Sequence, residues 1–171
     1  MKCPSRMLLP LLTLTLIAEM RPARADANPG FERLTALVGE WDGKDTEDKS
    51  IRVTFRLASG GTSLVESLSA FGEADKVSIY TRDRDEIALT PNAGDSSQPP
   101  MHSVPNALGN VELDFSDSCA ANRAVLTAGH MHRLVINFQD IDHFTEEWTW
   151  REHGKGDRVT IFRFSRILLG H

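Results

Sequence analysis

The sequence predicts an all-β chain of about ten short antiparallel strands, running up and down around a closed barrel after one short helix. Three observations lead there. Apolar and polar residues alternate with a period of two through most of the chain, as in strands that bury one face. The strand-like runs follow one another through short connections with no helices between them, which excludes a parallel sheet on connectivity. So many half-buried strands must also hide their edges, and closing the sheet on itself does that better than splitting it into a sandwich.

The helix comes first. "NPGFERLTALVG" sets Phe31, Leu34, Leu37 and Val38 on one side at helical spacing, with Gly39 as the residue just past its end. "GEWDGK" opens the strand series. "IRVTFRL" then alternates Ile51, Val53, Phe55 and Leu57 against Arg52, Thr54 and Arg56, and Ser59 to Gly61 form a hairpin turn. "TSLVESL" follows. In "KVSIYTR" the core face is assigned to Val77 and Ile79, and "RDRDE" turns the chain into "IALT". "MHSV" is a short strand, and "VELDF" puts Val111, Leu113 and Phe115 on one face. "MHRLVINF", "HFTEEWTWR" and "DRVTIFRFSR" complete the set, joined by "QDID" and "EHGKG". Two longer polar connections, Thr90 to Pro100 and the segment "SDSCAANRAVLTAG", belong at a barrel mouth.

The N-terminus has the pattern of a secretory signal peptide: Lys2 and Arg6, the apolar run Met7 to Ala18, then "ARADA" with small-residue cleavage sites after Ala25 or Ala27. The run is too short to span a bilayer comfortably. The expected organisation is therefore a signal peptide over 1–25 and one barrel domain over 26–171, in a periplasmic or secreted protein. Setting aside Lys2, Arg6, Arg21, Arg24 and Glu19 leaves 15 of 19 basic and 23 of 24 acidic residues, a net charge of −8. Such a balance argues against nucleic acid or an anionic membrane as partner. Cleavage would leave Cys119 without an intrachain partner, so the core must hold the fold without a disulfide.

Strand parity also singles out polar residues on apolar faces. His132 shares a face with Leu134, Ile136 and Phe138. Glu146 shares one with Phe144, Trp148 and Trp150, and Glu66 with Leu64 and Leu68. A buried carboxylate is costly unless it is paired, bound or hydrated. If "QDID" is the turn of a hairpin, His132 and Glu146 lie nearly opposite. Three readings stay open: a His132–Glu146 pair that satisfies itself, a polar cluster at the bottom of a small-molecule cavity, or metal or haem ligation through His132 with His130 or Glu146. No Gly-x-Ser-x-Gly, His-Glu-x-x-His, P-loop or dinucleotide fingerprint is present, and only a Glu66–Glu146 acid–base pair offers itself for catalysis.

The helix followed by "VGEWDGK" resembles the opening of the calycins, the group of lipocalins, fatty-acid-binding proteins and nitrobindin-like haem barrels. Several stretches, Leu37 to Lys44, Val53 to Glu66, Val77 to Thr90, Gly129 to Phe138 and Asp140 to Lys155, are similar to a bacterial family of exported lipocalin-like proteins of uncharacterised function. Its members look like "LxGEWxGK", "GHMHRLxLxF" and "DxDHxTxEWTWxxxGK". This chain departs from them where "LTHYC…NQPRM" is expected: Pro91, Asn92 and Ala93 replace His, Tyr and Cys, and Pro100 replaces Arg. The resemblance implies a barrel with an internal cavity, and an Arg of the last strand, Arg163 or Arg166, packed over Trp41. The Arg-x-Tyr carboxylate anchor of the fatty-acid-binding branch is incomplete, since Arg163 is followed by Ser165.

The function expected from these readings is an exported, non-enzymatic binder of a hydrophobic or partly polar small molecule. His132, Glu146 and Glu66 would contact it, and Trp148, Trp150, Phe138 and Phe164 would line the cavity. The alternatives are a haem- or divalent-metal-binding barrel using His130 and His132, and a packed structural barrel without ligand.

Overall fold

The computed structural model describes residues 28–70, 72–92, 98–104, 109–115 and 129–168. The expected signal segment and Cys119 lie outside these. The described residues form one helix, α1 (Pro29–Thr35), and ten strands: β1 (Gly39–Lys44), β2 (Ser50–Ala58), β3 (Ser63–Ala70), β4 (Lys76–Asp83), β5 (Glu86–Thr90), β6 (Met101–Val104), β7 (Val111–Phe115), β8 (His130–Phe138), β9 (His143–Arg151) and β10 (Arg158–Arg166). Every neighbour pair is antiparallel, and β1 pairs with β10, so the sheet is a closed up-and-down barrel. A single 3₁₀ turn over Ser59–Gly61 links β2 to β3, with Gly60 and Gly61 at positive φ.

The helix is shorter than its apolar spacing suggests. Asn28 caps it by accepting from the Phe31 N–H at 2.9 Å, and Ala36 ends it. Phe31, Leu34 and Leu37 are buried, but Val38 is not, and Gly39 begins β1 at φ 133° instead of terminating the helix. The chain turns there because the barrel end must be covered at once. The Trp41 indole donates back to the Leu37 carbonyl at 2.8 Å.

That end is sealed by aromatic packing. Trp41 meets Phe144 edge-on at 4.7 Å, Phe144 stacks on Phe164 at 4.7 Å, and Phe55 closes on Phe144 at 5.9 Å. Of the two candidate arginines, Arg166 is the one over Trp41, at 4.0 Å from the ring. Its guanidinium also donates to the carbonyls of Ala36, Val38 and Ile141. Arg163 lies exposed on the outside.

Alternation places Ile51, Val53 and Phe55 of β2 and Leu64, Glu66 and Leu68 of β3 inward. In β4 the expected parity is reversed. Ser78 and Tyr80 are the buried residues, whereas Val77 and Ile79 are only partly covered. Register explains it: Glu66 stands opposite Ser78 and Leu64 opposite Tyr80, so the residues across from an inward face must themselves face in. Leu57 sits at the exposed end of its strand.

Gly43 permits the seal. A β-carbon there would fall 2.6 Å from the Arg163 carbonyl and enter the Phe164 ring. Gly43→Ala should therefore destabilise the fold by about 1–3 kcal/mol, read as a lower urea midpoint with an unchanged m-value.

Candidate functional site

The aromatic seal fills one end of the barrel. The other end holds a cavity of about 990 Å³. Its rim comes from the end of β1 and start of β2, from the β3–β4 and β9–β10 ends, and from Pro91, Asn92 and Gln98. The segment that departs from the family pattern thus borders the mouth. Gln98 is tied there by accepting from the Met131 N–H at 3.2 Å. The wall is largely apolar: Ile51, Leu68, Met131, Trp148, Trp150 and Phe162. Trp150 rests on Gly129, where a β-carbon would come 2.9 Å from the indole.

Glu66 reaches this cavity from the middle of β3. It is 2 % exposed, and Tyr80 donates its hydroxyl to the carboxylate at 2.6 Å. Burial pushes the Glu66 carboxyl from its ordinary 4.5 up to about 7, with the Tyr80 hydrogen bond working against that rise. Glu146 lies deeper, fully buried between Ile136 of β8 and Phe162 of β10. The Trp148 indole donates to one of its oxygens at 2.9 Å, and Oε1 has no hydrogen-bond partner. Burial first, and then the charge of Glu66, raise Glu146 well above the carboxylate range. Tyr80 is raised as well, by burial and then by Glu66 and Glu146. The three groups therefore sense one another. Among the described residues bordering the cavity, the cations Lys49, Lys76 and Arg158 all stand at its rim.

The expected pair of His132 with Glu146 is not formed. Ile136 stands opposite Glu146, because the hairpin turns about Ile141, where the Asp140 carboxylate accepts from the Asp142 N–H. His132 opposite Glu146 would need a turn centred two residues earlier, which moves every partner by four. A β-bulge between Met131 and Arg133 then takes His132 out of the inward alternation. Met131 borders the cavity and His132 does not. Burial, followed by the nearby Arg151 charge, lowers the His132 pKa.

His130 is buried opposite Arg151. Its ring meets His132 edge-on at 5.7 Å, and Phe115 packs at 4.6 Å from His130. Neither ring borders the cavity, so neither offers a ligand to a metal or haem held within it. Among the described residues no three of His, Cys, Asp and Glu come together as a metal-binding group. Phe164 belongs to the aromatic seal, and Phe138 packs against the core under the Arg33 guanidinium. Of the ligand-contact candidates, Glu66, Trp148 and Trp150 line the cavity, and Glu146 sits behind it.

Sequence reading missed Tyr80, Ser78, Met131 and Phe162. The first two were recoverable by pairing the strand that carries Glu66 with its successor. Met131 was not, because a bulge leaves no period-two signal.

No family model matches the chain, and no curated protein matches it. Among solved structures, a protein of unknown function of the DUF3598 family from Nostoc punctiforme PCC 73102 is similar over 78% of this chain, with a TM-score of 0.55 and 14% identity. This chain spans about half of that one, 49%. The structure of EF1p2_mFAP2b bound to DFHBI aligns over 82% of this chain and 100% of that one, with a TM-score of 0.35 and 8% identity. The first likeness is one of fold, and the ten-strand barrel sealed by Arg166 over Trp41 is consistent with a calycin-like architecture. No described helix is long and apolar enough to cross a membrane.

The raised carboxyl has a consequence for stability. Between 4.5 and about 7 the folded chain binds the Glu66 proton that the unfolded chain releases, so stability falls as pH rises through that window. Glu66→Gln removes this contribution. The variant should match the parent at the acid end of the window and exceed it above neutrality, by on the order of 3 kcal/mol at most. Urea denaturation at several pH values measures it; equal pH slopes for the two proteins would refute it.

Proposed function

We propose that this chain is an exported, non-enzymatic β-barrel that carries a small, partly polar hydrophobic molecule in its open end. One observation bears most of the weight: a cavity of about 990 Å³ with an apolar aromatic wall and a buried carboxyl, Glu66, at its inner end. Small-molecule sites have this character, with volumes of about 300–1,000 Å³ and a few placed polar groups in a mostly apolar lining. A fully packed structural barrel would have no such space. The wall supplies area, and Glu66 and Ser78 supply orientation.

The two acids are each held by one neutral donor, Tyr80 on Glu66 and Trp148 on Glu146. Export is inferred from the charged start, apolar run and small-residue cleavage pattern of the first 25 residues.

Native mass spectrometry of protein purified from its own host should detect a bound small molecule that denaturation releases. Thr160→Trp places an indole in the cavity from β10. It should abolish that bound mass while the barrel still unfolds cooperatively. Parent protein that is mass-identical to the bare chain, with no molecule in the denatured extract, would overturn the reading.

A further inference from the structure

The inner end of the cavity holds one carboxyl group, Glu66, with a second, Glu146, behind it, and among the described residues no cation stands beside either. Glu66 and Glu146 are both at least nine-tenths buried, and each accepts one hydrogen bond from a neutral donor, Tyr80 or Trp148. Oε1 of Glu146 is buried without a hydrogen-bond partner. Buried carboxyls in folded proteins are ordinarily matched by Arg, Lys or a metal. The described residues that face them are none of these. β2 contributes Phe55, β4 contributes Ser78 and Tyr80, and β10 contributes Phe162. The charges at the rim, Asp45, Lys49, Glu73, Lys76 and Arg158, belong to the opening; Lys49 pairs with Glu47 there, and Lys76 with Glu73.

We propose that the cation missing from this floor is supplied by the ligand: the cavity is a site for a lipophilic amine, with its ammonium on Glu66 and its apolar body against Trp148, Trp150 and Phe162. This rests on the reading of the cavity as a ligand site. Three features favour that class. An ammonium supplies the hydrogen bonds and the charge that the Glu66 carboxylate lacks. The indole and phenyl faces of the wall attract a cation where they would repel an anion. A fatty acid would bring a third carboxylate to two that already disfavour each other's ionisation.

Binding would expel the proton that Glu66 holds below neutrality, so affinity for an amine should climb with pH until that proton is gone. Glu146, sealed behind the wall, is pushed toward its neutral form by burial and then by the charge of Glu66.

The test compares decylamine, decanoate and 1-decanol, which share one chain and differ in the head group, by calorimetry and tryptophan fluorescence on the folded protein from about pH 6 to pH 8. Decylamine should bind at least about tenfold more tightly than decanol above neutrality, and decanoate more weakly than decanol. Amine affinity should rise by up to about tenfold per pH unit below neutrality and then level off, with a proton released to the buffer. In Glu66→Gln the amine should fall to the level of decanol and lose its pH dependence, while decanol still binds, which shows that the cavity is intact. Tyr80→Phe removes the donor that favours the charged carboxyl and should shift the amine pH profile upward. Decanol bound without an amine preference, decanoate equal to the amine, or a preference that survives Glu66→Gln would overturn the amine assignment and leave the cavity reading standing. No binding of any of the three would overturn both.

Discussion

The structure depends on the contact of Arg166 with Trp41. β1 and β10 must pair for the sheet to close, and the last residue of that pairing is Arg166 opposite Trp41. The guanidinium lies 4.0 Å over the indole and donates to carbonyls at the end of the helix and in the β8–β9 turn. Lysine could not do this, because only the planar fork stacks on a ring while donating in several directions at once. One side chain thus joins the first strand, the last strand, the helix and a hairpin. The aromatic residues beneath it seal that end of the barrel, and the cavity opens at the other end.

The open end contains a conflict between stability and chemistry. Two inward carboxyls with no internal cation among the described residues are a poor choice for a core, since burial raises both out of the ordinary carboxylate range and the charge of Glu66 raises Glu146 further. Leu or Met at these positions would give a more stable barrel. The two acids are nevertheless unequal. Glu66 touches the cavity and has a phenol to favour its charged form, whereas Glu146 is sealed between Ile136 and Phe162. Environment thus gives two identical groups different surroundings, as in sites where paired acids divide their roles.

Period-two alternation carried much of this into the sequence. Glu66, Trp148 and Trp150 could be placed on inward faces because their strands alternate without interruption, and the cavity confirms that placement. Three things broke the signal. β4 carries the chain's sole tyrosine and a serine inward and two aliphatic residues outward, so its composition opposes its orientation. The bulge in β8 lets one strand change parity, and no residue type announces it. Position along a strand is invisible to parity: Phe138 and Phe164 face inward but lie toward the sealed end. Depth follows from register across the whole barrel, and a two-residue error in the centre of the β8–β9 turn is enough to bring His132 opposite Glu146 in place of Ile136.

This division between depth and face also explains how the chain can depart from the pattern it resembles without losing its site. Pro91 and Asn92, which stand where His and Tyr are expected, border the mouth. Glu66 is paired on both sides, with Phe55 and Ser78, and Tyr80 with Leu64 and Leu89, so a one-residue slip would turn the whole row outward. Mouth residues carry no such constraint, since Pro91 follows the last residue of β5 and Gln98 precedes β6. Substitution there alters the mouth of the cavity and leaves the register that places Glu66, Ser78 and Tyr80 unchanged.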